Sequence, residues 1–235
     1  MTPLRLAIIG NGKMGKAVAA LATQRGHQIH TTIGRLENSG GQALTSERLQ
    51  GADVAVEFTR PDAAVMNLER LIELGIPTVT GTTGWLDALP LIRSRVEQHN
   101  GALLHAANFS LGVHLFLRAA RTLAEGFRER LDFAVTIQEE HPATKLDAPS
   151  GTALMLQRQL WEMDPGRRFP ITSVRAGNTP GTHTLTYQAP NETVILRHES
   201  RSRDVFAAGA VAAAEWLPGH HGVFTFDDML FQEHQ

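Results

Sequence analysis

The chain contains no cysteine, so disulfides, thiolate metal sites, iron–sulfur ligation and a cysteine nucleophile are all excluded. It also lacks an excess of either charge: 22 basic against 24 acidic side chains leave a formal net charge of -2. A protein so balanced has no general electrostatic pull toward nucleic acid or an anionic membrane surface. Long apolar runs are missing as well, since nothing approaches the roughly 18 residues of a membrane span, and Leu6 to Ile9 is too short for a signal-peptide core. A soluble, cytoplasmic protein is therefore expected. No internal repeat or low-complexity tract interrupts the chain. What is present, 42% hydrophobic and 20% charged residues over 235 positions, suits a folded protein of one large or two modest domains at roughly 150 residues each.

The order of elements separates two regions. Leu4 to Ile9 reads as a buried strand stopped by Gly10, and Lys13 to Arg25 as a helix. Strands follow at Gln28 to Ile33, Val54 to Phe58, Thr78 to Thr80 and Ala102 to Ala106. A loop runs from the second strand to about Ser46. Between the later strands lie helices opened by Pro61, with Val65, Leu68, Leu71 and Ile72 on one face, and spanning Leu86 to His99. This alternation predicts a parallel sheet with helices on both faces. After Asn108 the rhythm changes. A helix at Val113 to Phe127 and another at Thr152 to Met163 accompany strands at Phe133 to Glu139, Ile171 to Arg175, His183 to Gln188 and Glu192 to His198. Consecutive strands with short connections predict a mixed or antiparallel sheet. The Ala-rich Ala207 to Trp216 reads as a helix, and Val223 to Phe226 as a last strand returning to the first sheet.

Gly10-Asn11-Gly12-Lys13-Met14-Gly15 fits G-x-G-x-x-G at a strand-to-helix turn. There glycines allow a tight turn and close backbone approach, and the helix N-terminus offers N–H groups to a pyrophosphate. The acid that usually follows on the second strand is replaced by Gly34 and Arg35. Arg35 either pairs with a ribose 2′-phosphate, favouring NADPH, or is a solvated loop arginine, and Glu37 lies near enough to confuse the register. Gly81-Thr82-Thr83-Gly84 and Ala106-Ala107-Asn108-Phe109-Ser110 end the fourth and fifth strands on the carboxyl edge, where open parallel sheets bind ligands. Their competing readings are a plain turn and, for Phe109, plain core. His141, Lys145 and the helix opening Pro149-Ser150-Gly151-Thr152 form the most informative segment. Ser150 suits an N-cap, which leaves the N–H groups of Gly151 and Thr152 for an anion. Lys145 supplies a matching charge, and His141 suits a general acid. His220-His221 is read as a solvated pair, because no partner stands at zinc-like spacing; no metal is expected.

Glu140-His141 through Lys145-Leu146-Asp147-Ala148-Pro149-Ser150-Gly151-Thr152-Ala153 resembles the signature of the dihydrodipicolinate reductase family. The likeness continues in Glu57-Phe58-Thr59-Arg60-Pro61, Gly81-Thr82-Thr83-Gly84, Asn108-Phe109-Ser110-Leu111-Gly112-Val113, Arg175 with Gly177, Gly181 and His183, and Ser202-Arg203 with Phe206-Ala207 and Gly209-Ala210. This resemblance implies an α/β protein. A Rossmann-type dinucleotide-binding domain would span residues 1–108 and 207–235, and an α+β domain for substrate binding and homotetramer assembly, with a mixed sheet, residues 109–206. It further implies reduction of a cyclic dicarboxylate by NADPH or NADH, with His141 as general acid, Lys145 as a substrate-binding or proton-donating lysine, and Ser150, Gly151 and Thr152 at a substrate carboxylate. The chain departs from the family in three places: Pro142 replaces a second histidine, the glycine turn is one residue shorter, and the stretch from Arg35 to Val54 is short. A reductase of another carboxylated imine and a non-catalytic nucleotide-binding protein remain the alternatives.

Overall fold

The computed structural model describes residues 2–179 and 181–231. In chain order its elements are β1 (Arg5–Ile9), α1 (Lys13–Gln24), β2 (Gln28–Ile33), α2 (Ser46–Leu49), β3 (Val54–Glu57), α3 (Pro61–Glu73), β4 (Thr78–Thr80), α4 (Leu89–Gln98) and β5 (Ala102–His105). Next come α5 (Leu111–Gly126), β6 (Ala134–His141), α6 (Gly151–Met163), β7 (Ile171–Arg175), β8 (Thr182–Gln188), β9 (Thr193–Glu199), α7 (Asp204–Trp216), β10 (Gly222–Thr225) and α8 (Phe226–Phe231). They gather into two compact units: residues up to Ser110 together with those from Asp204 on, and Leu111–Arg203.

The first unit is a six-stranded parallel sheet in the order β10-β5-β4-β3-β1-β2. Its strands read as nearly continuous apolar runs because both faces are buried. Leu6 and Ile8 of β1 pack with Val18 and Ala22 of α1 and Ala210 and Val211 of α7, while Ala7 and Ile9 pack with Leu44, Leu49 and Leu71 on the opposite face. The chain turns outward in opposite directions from β1 to β2 and from β1 to β3, and such a switch point opens a crevice at the carboxyl ends of the strands. The last strand does return, β10 pairing parallel with β5.

The second unit is a four-stranded mixed sheet in the order β7-β6-β8-β9, parallel between β6 and β7 and antiparallel elsewhere. Val135, Ile137, Leu185 and Tyr187 on its inner face pack against Val113, Phe116 and Leu117 of α5 and Leu156 and Leu160 of α6. This is a Rossmann-like α/β fold joined to a smaller mixed-sheet unit, as expected. Two short helices differ from expectation. Ser46–Leu49 forms α2, with Thr45 Oγ1 accepting from Arg48 N–H, and Phe226 opens α8 instead of ending β10, because Asp228 takes the Thr225 N–H at 2.7 Å and stops the strand. No helix among the described residues is long and apolar enough to cross a membrane.

Candidate active site

In the first unit the glycine turn divides by role. Gly10 has φ +103°, and a Cβ there would lie 2.1 Å from the Phe58 carbonyl oxygen; one at Gly15 would lie 1.9 Å from the Gly10 oxygen. These two glycines let β1, β3 and α1 approach. Gly12 differs, since nothing lies within 4 Å of a Cβ built on it. It lines a cleft of about 420 Å3 with Gly10, Asn11, Gly34, Arg35, Asn38 and Arg60. Lys13 is exposed at the start of α1 and Met14 leans into the core. The cleft, the open Gly12 position and the helix N-terminus fit a dinucleotide.

Arg35 is exposed at this cleft. The Glu37 carboxylate is engaged beside it: Oε1 accepts the N–H of cleft-lining Gly34 at 2.8 Å and Oε2 meets Arg48 at 3.0 Å, and these bonds hold the carboxyl below its ordinary pKa. Arg60, to which no role was assigned from sequence, lines the same cleft and pairs with Asp62 at 3.2 Å.

At the ends of β3 and β4 a buried network ties the turns together. Glu57, fully buried, accepts from the Thr59 hydroxyl and from Thr80 Oγ1, the latter at 2.5 Å. The Thr59 N–H in turn donates to Thr82 Oγ1 at 2.8 Å. The Thr82 hydroxyl therefore braces the turn, whereas Thr83 is exposed and Gly81 half-buried against the Phe58 ring. Ala107 is exposed, Ala106 half-buried, and Asn108 Oδ1 accepts the Ser110 N–H at 2.8 Å. Phe109 is 2% exposed and packs between Phe58 and Phe226 at centroid distances of 5.8 and 5.3 Å, so its side chain belongs to the core.

In the second unit, side chains two apart on a strand share a face, so the inward row of β6 runs from Val135 and Ile137 to Glu139 and His141. Strand register brings Arg175 opposite His141 and His183 opposite Glu139. Glu139 is fully buried, with Arg175 Nη2 at 2.7 Å and the Ser150 N–H at 3.2 Å on Oε1. Its other oxygen lies 2.8 Å from His141 Nδ1, at ion-pair distance but outside hydrogen-bond alignment. Burial alone would raise the Glu139 pKa, yet hydrogen bonds from Ser150, Arg175 and Ser173 together with His141 outweigh it and hold it at about 2. His141 is pushed below its ordinary value, first by burial and then by Lys145 and Arg175, with Glu139 opposing. Gly181 makes room for this ring, for a Cβ there would sit 2.8 Å from His141 Nε2.

Ser150 caps α6, its Oγ accepting the Ala153 N–H at 3.3 Å. Gly151 is exposed and Thr152 half-buried at the same helix end, and Lys145 Nζ stands 2.8 Å from Asp147. Glu139, His141 and His183 hold one ligand atom each within 4.8 Å of one another. Arg175 already neutralises that carboxylate, which opposes a second cation there. Outside the site, His221 Nδ1 contacts the Asn100 carbonyl at 2.8 Å and His220 stacks on Trp216.

The model of the N-terminal region of dihydrodipicolinate reductase matches residues 4–109, and that of its C-terminal region residues 112–230. The chain belongs to the dihydrodipicolinate reductase family. Curated 4-hydroxy-tetrahydrodipicolinate reductases are similar to it end to end. The protein from Christiangramia forsetii is 35% identical over 97% of this chain and 98% of its own length, and that from Neisseria meningitidis serogroup C is 34% identical over 98% of both. Among solved structures, a dipicolinate-bound dihydrodipicolinate reductase from Paenisporosarcina superposes with a TM-score of 0.83 at 21% identity, covering 98% of this chain and all of that one. An amine dehydrogenase from Mycobacterium smegmatis shares the fold at a TM-score of 0.66 and 14% identity, with 96% of each chain covered. The family is one of NAD(P)H-dependent oxidoreductases.

One consequence concerns acid. Burial lowers the His183 pKa to about 4, below the roughly 6.5 of the unfolded chain. A depressed value means stability that is complete above about pH 6.5 and lost as pH falls toward 4, on the order of 3 kcal/mol. The corresponding loss from Glu139 comes lower, between about 4.5 and 2. The urea midpoint of the wild-type protein is thus expected to fall more steeply from pH 7 to 4.5 than that of His183→Gln; parallel slopes would remove His183 as the cause.

Proposed function

We propose that the protein reduces 4-hydroxy-tetrahydrodipicolinate, by way of dihydrodipicolinate, to tetrahydrodipicolinate with NADPH or NADH, in the diaminopimelate route to lysine. What carries this reading is the juxtaposition of the Glu139–His141 pair with the capped N-terminus of α6 and Lys145 in a chain of this family. The nicotinamide supplies a hydride to an electron-poor C=C–C=N system. The chain's own residues do the rest. The N–H groups of Gly151 and Thr152, the Ser150 cap and Lys145 hold a substrate carboxylate. His141 gives a proton from Nε2 to the carbon next to the reduced centre, while Glu139, an anion at neutral pH, stabilises the imidazolium through Nδ1. Arg175 keeps Glu139 ionised and offsets its charge, so His141 does not retain its proton too tightly. The glycine turn and the cleft beside Arg35 take the cofactor.

The test is turnover. Purified protein given enzymatically generated substrate is expected to oxidise NADPH or NADH in step with product; oxidation with neither would contradict the reading.

Cofactor choice rests on Arg35, which lines the cleft after β2, while the nearby Glu37 carboxylate is taken up by the Gly34 N–H and Arg48. Arg35→Ala is expected to weaken NADPH by about 1 to 3 kcal/mol, the scale of a charge-assisted hydrogen bond, and to leave NADH nearly unaffected. Dissociation constants at fixed ionic strength decide it, and equal losses would make Arg35 a support for its loop.

The protein works in the cytoplasm as a homotetramer. The outer face of the mixed sheet, with Thr136 and Gln138 of β6, Thr184 and Thr186 of β8 and a 62% exposed Ile195 on β9, supports contact between copies. Its mass in solution is the check.

A further inference from the structure

Asn67 is 1% exposed on α3 and has no part in the chemistry described above. It interrupts the buried face formed by Ala64, Leu68, Leu71 and Ile72, where a carboxamide is costly unless its hydrogen bonds are made. Both of its polar atoms are engaged. Oδ1 accepts from Asn38 Nδ2 at 2.9 Å, and Nδ2 donates to Thr59 Oγ1 at 3.4 Å. The two ends of this series fix the orientation of both amides. Asn38 Oδ1 accepts the Ala43 N–H at 3.2 Å, so Nδ2 is the atom turned to Asn67. At the other end the Thr59 hydroxyl gives its hydrogen to Glu57 and is left to accept from Asn67.

The same residues border the cofactor cleft. It is lined by the glycine turn, by residues between 33 and 41 after β2, and by residues between 58 and 66 leading into α3. Asn38 belongs to the second of these segments and Thr59 to the third, and Asn67 joins them. Arg35 stands on a three-residue turn, Arg35 to Glu37, with a side-chain hydrogen bond at each end. Glu37 Oε1 takes the Gly34 N–H before it, and Asn67 takes the Asn38 amide after it. Farther along, Arg70 Nε donates to the Leu44 carbonyl at 2.9 Å and fastens the rest of the loop to α3 on its own. Loss of the Asn67 amide therefore loosens the turn that carries Arg35 without detaching the loop.

We infer that Asn67 is a positioning residue for cofactor selection: by holding Asn38 it fixes the turn that presents Arg35 to a ribose 2′-phosphate. A guanidinium gains most from a phosphate when its planar fork is held at hydrogen-bond distance beforehand. A loose turn gives up that gain and leaves the contacts shared by NADPH and NADH in place. The inference rests on the Arg35 reading above and adds the residue that places Arg35.

The experiment sets Asn67→Leu beside Arg35→Ala and the double variant. Leucine suits the apolar face of α3 and offers Asn38 no acceptor. Dissociation constants of NADPH and NADH are measured by calorimetry at fixed ionic strength, and folding is checked by thermal melting. Asn67→Leu is expected to raise the NADPH Kd about 5-fold or more and to leave the NADH Kd within about 2-fold. In the Arg35→Ala background the same change should move the NADPH Kd by less than about 2-fold, because a phosphate contact already removed is not lost again. Should Asn67→Leu not fold, Asn67→Ala carries the same comparison with a smaller side chain. A purely structural role would lower the melting temperature and leave the ratio of the two constants where it was, and that result overturns the inference. Equal weakening of NADPH and NADH overturns it too, as does a loss in the Arg35→Ala background as large as in wild type. A ratio untouched by Arg35→Ala itself defeats the phosphate reading, and the inference falls with it.

Discussion

Replacing His141 with glutamine is expected to lower kcat by about 10² to 10⁴, the range for a lost general acid, with NADPH affinity unchanged. Glutamine retains a polar group near the ring's place and leaves the Glu139–Arg175 pair intact, so the loss reports the missing proton and not a collapsed site. The pH profile adds a second reading. Burial lowers the His141 pKa below its ordinary value of 6.5, and an acid works only while protonated. For wild type, kcat/KM is expected to fall as pH rises through a value under 6.5, and this limb should vanish in His141→Gln. Near-normal turnover in the variant, or the same limb in both proteins, would reject the assignment.

Gly12→Val is expected to weaken NADPH and NADH alike by at least about 100-fold, or ~2.7 kcal/mol. The turn makes this a clean experiment. Gly12 has φ -72° and ψ -169°, open to any residue, and no atom within 4 Å of a Cβ, so the variant should fold and melt like the wild type. What the branched side chain fills is the space where a pyrophosphate must approach. Gly10→Ala and Gly15→Ala are poor substitutes, since their side chains would run into the Phe58 and Gly10 carbonyl oxygens and damage packing before any ligand arrived. Intact cofactor affinity in folded Gly12→Val would contradict the placement of the phosphate.

The architecture was readable where local signals agree. Apolar runs alternating with helical periodicity and ending in glycine foretold the parallel sheet, and consecutive strands after Asn108 foretold the mixed one. The N-cap at Ser150 was legible from Pro149-Ser150-Gly151 alone, and its side chain does accept from Ala153. The support of the candidate site was not. Glu139, Arg175 and His183 are 36 and 44 residues apart in pairing with β6, and only strand register brings them together. No spacing rule encodes register. The strand signal at Phe133 to Glu139 even ended two residues early, because Glu140 and His141 look like loop residues until β7 pairs with both and β8 with Glu140. Phe109 shows the opposite limit: its position at a strand end points to the ligand edge, whereas its side chain is buried between two aromatic rings from distant segments, Phe58 and Phe226. Asn67, buried on α3 beside Thr59 and Asn38, likewise interrupts an apolar face for hydrogen bonds that only the fold supplies.

The central claim is that one end of the second unit holds a dicarboxylate against a histidine acid. A crystal structure of the protein with dipicolinate tests it most directly. The account predicts one carboxylate within hydrogen-bond distance of the Gly151 and Thr152 amides and Lys145 Nζ, with the ring facing His141. Dipicolinate bound elsewhere, with those amides and Lys145 left to solvent, would contradict it.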